Sequence, residues 1–218
     1  MHSSGTRRTE SLRIAELVLL FIAAPIGLAM VMKPGYLFPA IWLLAAACCI
    51  VLRLDASTDL RQIWRWSAVR AALPGVLMRF AIAAPLLTTG LWLVDPPSLF
   101  RMPRESPRLW ALVMVLYPLV SVAPQELAFR TFIFHRYAPF VRGRGLILLS
   151  AALFGLAHIV LRNWWAPAFC TIGGLLFGWT YSRTVSLALA CLEHSLYGCF
   201  IFTVGWGPWF WAGSLGHR

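Results

Sequence analysis

From Leu109 to Pro124 the chain runs sixteen residues without a charge, then sets Glu126 and Arg130 four positions apart before turning apolar again through Phe132, Ile133 and Phe134. Four positions is about one helical turn, so the carboxylate and the guanidinium share a face and can pair. Placing a charge in hydrocarbon costs at least a few kcal/mol, so ionisable groups at membrane depth pair, face the bundle interior and mark functional sites.

Comparable apolar runs recur along the chain: Arg13 to Met32, Tyr36 to Leu52, Ala71 to Val94, Leu109 to about Tyr137, Leu146 to Leu161, Trp164 to Tyr181 and Val185 to Val204. About 20 apolar residues cross a bilayer as a helix. The composition agrees, with 60% hydrophobic residues and 12% charged against about a quarter charged in a soluble domain. The expected fold is all-α, a polytopic transmembrane helical bundle of about seven spans (6–8) in a single integral membrane domain over residues 1–218. Helices satisfy their own backbone in lipid, which is why they are the expected form. No internal repeat is visible.

The connections read in the same way. The polar, basic stretch 1–12 precedes a span too long for a cleaved signal peptide, so a retained signal anchor is expected. Glu16 is expected at the interface. Lys33-Pro34-Gly35 reads as a tight turn, 95–108 with its four prolines as a loop, and Gly143-Arg144-Gly145 as another turn. Residues 53–70 break the hydrophobic pattern and place Leu60, Ile63 and Trp64 on one face, which suggests an interfacial amphipathic helix. Arg79 either snorkels or meets a buried acid. Pro118 and Pro124 are expected to interrupt the central segment, with a break or kink just before Gln125. Gly173, Gly174 and Gly178 permit close helix approach. The aromatic, Gly-rich tail 205–218 suits a membrane interface.

The formal charge of +11 comes almost wholly from arginine, Lys33 being the single lysine. These arginines stand singly between apolar spans, so topology and anionic lipid headgroups account for them and no nucleic-acid partner is expected. Eleven basic residues fall on the side of the N-terminus and six on the other, which predicts a cytoplasmic N-terminus. The short basic loops suit a bacterial inner membrane. The five cysteines lie in apolar runs without a CxxC pair and read as small core residues.

Three separate spans deliver polar groups at membrane depth: Gln125, Glu126 and Arg130; then His158; then Glu193 and His194. A carboxylate in a desolvated pocket can act as general base, a histidine can share its water, and a second histidine can donate to an oxyanion. Arg130, paired with Glu126 first and Glu193 second, would hold the carboxylate. The set fits water attack on an amide, with no cofactor required. Ser121, Ser150 and Ser195 lack a nucleophile elbow. Glu126, His158 and His194 are also one carboxylate and two histidines, a recognised zinc set, although the helical HExxH signature is missing.

Glu126-x3-Arg130, Phe154-x3-His158 and His194 resemble, in order and spacing, the motifs EExxxR, FxxxH and HxxxN of the CPBP family. This family comprises the type II CAAX prenyl endopeptidases and bacteriocin-processing membrane proteases. The resemblance spans residues 107–205. It implies a glutamate-dependent intramembrane endopeptidase acting on a membrane-associated peptide or protein, with a bundle that opens into a water-filled cavity. Two positions depart from the pattern. Gln125 replaces the first Glu, and glutamine is no base. Glu126 then takes the role, or Gln125 positions a water for Glu126 and His158, or the protein is inactive. Gly198 stands where the family often has Asn, a partner in oxyanion stabilisation; Tyr197 and Asn163 are candidate substitutes. Competing readings are a non-proteolytic scaffold or immunity-type family member, favoured by these two departures, and a proton-coupled transporter built on the same buried groups.

Overall fold

The structure is a computed structural model that describes residues 2–31, 33–55, 58–59 and 62–210. Leu60 and Arg61 of the expected interfacial helix, and tail residues 211–218, lie outside the described residues. Every regular element among the described residues is helical. Six helices are long and apolar enough to cross a membrane: α1 (Glu10–Val31), α2 (Leu37–Leu54), α3 (Trp66–Val94), α4 (Pro107–Tyr137), α5 (Arg144–Leu161) and, after one more helix, α7 (Leu187–Val204). Between the last two lies α6 (Trp165–Thr184). Its 20 residues reach about 30 Å at 1.5 Å per residue, and Thr171, Ser182 and Thr184 each donate to a carbonyl of the same helix.

Helix α4 is the axis of the bundle. Its stretch from Pro124 to Ile133 is almost wholly buried, while α1, α2 and α3 turn large apolar side chains such as Met30, Leu43 and Leu86 outward. The expected interruption at the prolines does not occur: α4 runs on through both, with Pro118 opening a widened π turn, Pro118–Val122, and Pro124 in the α turn Ala123–Glu126 ahead of a second π turn, Leu127–Phe132. A proline removes one N–H and so orphans the carbonyl four residues back. For Pro124 that carbonyl is Val120 O, which accepts from Trp42 Nε1 at 3.1 Å. For Pro118 it is Met114 O, which faces Cys199 Sγ at 3.9 Å. Neighbouring side chains thus satisfy the freed groups, the usual condition for proline inside a membrane helix.

The expected interfacial helix over 53–70 is likewise not formed. Helix α2 ends at Leu54, Gln62–Trp64 makes one 3-10 turn, and Trp66 already opens α3. Arg53 falls in the last turn of α2 and Arg65 stands just before α3. Lys33 to Tyr36 closes as a tight turn with Tyr36 N donating to Lys33 O at 2.9 Å. The start of the tail packs into the bundle. Trp206 is 2% exposed and donates to Leu87 O at 3.0 Å, packed against Phe169 and Trp165.

Helices α5 and α6 lie against each other along their length. A Cβ on Gly174 would come within 2.9 Å of Ala151 Cα, so a small residue is needed for that approach. Gly173 has no such role; its Cβ would meet only the Phe177 ring of its own helix. Two ion pairs tie helices together away from the centre. Arg136 Nη2 reaches Glu16 Oε2 at 2.9 Å, joining α1 to the end of α4, and Tyr137 Oη adds a bond at 3.0 Å. Arg79 on α3 reaches Glu193 Oε1 on α7 at 2.7 Å. Of the two readings for Arg79, pairing with a buried acid is the one realised.

Candidate active site

Glu126, Arg130 and His194 are brought together. His194 Nδ1 lies 2.9 Å from Glu126 Oε1, and Arg130 Nε lies 3.3 Å from Glu126 Oε2. The carboxylate is wholly buried between an imidazole and a guanidinium, so its charge is compensated where water cannot reach it. Arg130 is fully buried as well. It donates to Ser150 Oγ at 2.6 Å, and that hydroxyl donates on to Phe129 O at 2.7 Å. The guanidinium also faces the rings of Phe154 and Phe177 at 4.9 and 5.8 Å. Cation–π contacts of this kind gain strength when desolvated.

His194 is held on every side. Phe177 stacks on its ring at 4.8 Å, Phe154 meets it edge-on at 5.5 Å, and Tyr117 Oη sits 3.1 Å from its Nε2. Both ring nitrogens therefore have partners. His158 differs. Its Nδ1 lies 2.7 Å from Phe154 O, a carbonyl that can only accept, so in the neutral ring Nδ1 carries the hydrogen and Nε2 the lone pair. Phe154 separates the two histidines, its ring 4.7 Å from that of His158.

His158, His194, Gln125, Ser121 and Tyr117 line one cavity of about 630 Å³ whose remaining wall is nearly all apolar, with Leu28, Ile41 and Leu87 among its residues. Gln125 is 6% exposed. Its Nε2 donates to Ser121 Oγ at 2.8 Å, and its Oε1 is buried without a partner. Glu126 is not part of the cavity wall; it stands behind His194.

Several residues singled out from sequence lie elsewhere. Glu193 adjoins His194 in the chain, but neighbours on a helix point about 100° apart, and Glu193 turns to Arg79. Arg79 also donates to Thr180 Oγ1 at 2.8 Å and covers the Trp179 ring at 4.7 Å. Asn163 begins α6: its Oδ1 accepts from Ala166 N at 2.9 Å, and its amide donates to Leu161 O and Trp209 O. The Tyr197 hydroxyl has no hydrogen-bond partner, and its ring packs on Phe80 and Phe177. Neither touches His194 through a polar atom. Tyr117 does, and it was missed. The signal was present, since Tyr117, Ser121 and Gln125 recur every four residues on one helical face. A zinc set is not assembled from these groups as they stand: His194 has both nitrogens engaged, and among the described residues no three His, Cys, Asp or Glu are grouped to hold a metal ion.

An all-helical membrane bundle with a buried carboxylate–histidine pair, whose histidine and a second one line an apolar cavity, defines a polytopic protein with a polar site among its membrane helices. Residues 107–200 match the family model described as type II CAAX prenyl endopeptidase Rce1-like. That match covers α4, α5, α6 and most of α7, including the positions of all three motifs, and makes this part of the chain similar to that family. No curated protein and no solved structure matches the chain.

Proposed function

We propose that the protein is an endopeptidase that hydrolyses a peptide bond of a membrane-associated substrate, and that its activity depends on Glu126. The observation that carries this reading is the 2.9 Å Glu126–His194 pair beside a second histidine whose Nε2 is free to accept a proton, both histidines facing one cavity. His158 is the base. A water held between His158 Nε2 and the unpartnered Gln125 Oε1 gives its proton to the imidazole as its oxygen bonds to the scissile carbonyl carbon. The C=O π pair moves onto oxygen. When the intermediate collapses, the C–N pair leaves with the amine, which takes the proton from His158. Glu126 acts through His194, whose ring it orients, and Arg130 holds Glu126. Gln125, unable to act as a base, positions the water.

The cavity's apolar wall suits a substrate segment that arrives from the bilayer. The excess of basic residues on the N-terminal side supports a cytoplasmic N-terminus, and a bacterial inner membrane is the proposed location.

Gln125 favours a second reading, a family member that binds without cleaving. The test is cleavage of a membrane-tethered peptide library by purified protein in vesicles, with chelator present. Wild-type cleavage that disappears in His158→Ala supports the protease. A wild-type protein that cleaves nothing, beside a Gln125→Glu variant that cleaves, establishes the non-proteolytic reading.

A further inference from the structure

Gly198 sits one helical turn beyond His194 on α7, on the face that meets α4. A Cβ there would collide with the Tyr117 ring, coming to 2.6 Å from Cζ and closer still to Cε1 and Oη. The phenol therefore occupies the space into which a side chain at 198 would project, and its hydroxyl ends 3.1 Å from His194 Nε2. Two further contacts fix α4 against α7 along the same line. Trp110 Nε1 donates to Thr203 Oγ1 at 2.9 Å, and Met114 O faces Cys199 Sγ. Tyr117 lines the cavity that also holds His158, His194, Ser121 and Gln125.

We infer that Tyr117, seated on Gly198, is the group through which the Glu126–His194 pair addresses the scissile carbonyl, donating its hydroxyl hydrogen to the oxyanion. This rests on the protease reading above. With a proton on each ring nitrogen, His194 donates from Nδ1 to Glu126 Oε1 and from Nε2 to Tyr117 Oη, and the phenolic O–H turns to the cavity. No bond to tyrosine forms or breaks; the hydroxyl only hydrogen-bonds to the oxygen that receives the π pair. Gly198 is required because any side chain would displace the ring. The position that departs from the family pattern is then filled in space by a residue from another helix.

The experiment compares steady-state cleavage of one membrane-tethered peptide by four purified full-length proteins in vesicles, with melting followed on the same samples. Tyr117→Phe keeps the ring and removes the hydroxyl; kcat should fall about 10²–10³-fold, the usual loss for one oxyanion donor, with KM and melting temperature close to wild type. Gly198→Asn alone should lose cleavage, because its side chain meets the phenol. Tyr117→Ala combined with Gly198→Asn should regain folding and part of kcat, since the amide enters the vacated space and offers an N–H. Wild-type protein that cleaves while Tyr117→Phe keeps full kcat overturns this inference and leaves the protease reading standing. Loss of cleavage in Tyr117→Phe matched by a fall in melting temperature overturns it too, by assigning the hydroxyl a structural role. Wild-type protein that cleaves nothing overturns the protease reading and, with it, this one.

Discussion

Glu126 Oε1 and His194 Nδ1 lie 2.9 Å apart although 68 residues separate them in the chain. The carboxylate comes from the buried middle of α4 and the imidazole from α7, so the pair exists only once these two helices have docked. The same docking seats Tyr117 on Gly198, while α5 packs Phe154 between His158 and His194. The following outcomes are expected from this arrangement.

Glu126→Gln keeps an oxygen that can accept from His194 Nδ1 and removes the negative charge. Cleavage should fall at least about 10²-fold, the scale of a general acid–base contribution. The loss should appear in kcat and not in KM, because Glu126 is outside the cavity wall. Kinetics on the purified variant check this; an unchanged kcat would remove Glu126 from the machinery.

Arg130→Ala leaves the Glu126 charge buried without its cation and takes away the donor to Ser150. The variant should be destabilised by about 3–5 kcal/mol, the range for breaking a buried pair from one side, and should yield less folded protein. Arg130→Lys should recover little, since an ammonium cannot reach Ser150 and Glu126 with one planar fork. Thermal melting in detergent, with wild-type protein alongside, measures both.

The Arg79–Glu193 pair ties α3 to α7 outside the cavity, with Arg79 a quarter exposed and Glu193 fully buried. Arg79→Ala and Glu193→Gln should each lower stability, and the double variant should cost less than the two added together. A coupling of about 0.5–3 kcal/mol is expected for side chains in direct contact. Their kcat should stay near wild type wherever they fold. A double-mutant cycle in melting, paired with activity, decides whether the pair is structural.

Trp42 Nε1 satisfies the carbonyl that Pro124 orphans. Trp42→Phe should therefore destabilise by about 1–3 kcal/mol, the penalty for a carbonyl left unpaired where lipid offers no donor. In a Pro124→Ala background the restored N–H can take over that carbonyl, and the same change should matter less. Equal losses in both backgrounds would show that the indole serves α4 in some other way.

The sequence by itself determined the class of fold and the supply of polar groups. Uncharged runs of about 20 residues admit little but membrane helices, because lipid leaves a backbone no other partners. Glu126 and Arg130 were legible as a pair because their contact is local, one turn of a single helix. The three motifs, being short patterns of residue type, were legible as well.

What the tertiary structure decided is which groups meet across helices. Glu193 and His194 are neighbours in the chain yet serve different partners, because a helix turns successive side chains about 100° apart. Asn163 had suitable chemistry but is bound into a helix start, and Tyr197, though it lines the cavity, makes no polar contact with His194. Pro124 carried a strong local signal for a break, and a tryptophan from α2 cancels it by accepting the role of the missing donor. The spacing of Tyr117, Ser121 and Gln125 showed a shared face, but the role of Tyr117 depends on an absence: the missing side chain of Gly198, 81 positions away, leaves the room its ring fills. Spacing along one helix is set by covalent geometry and can be read from a sequence, whereas complementarity between two helices is set by packing and cannot.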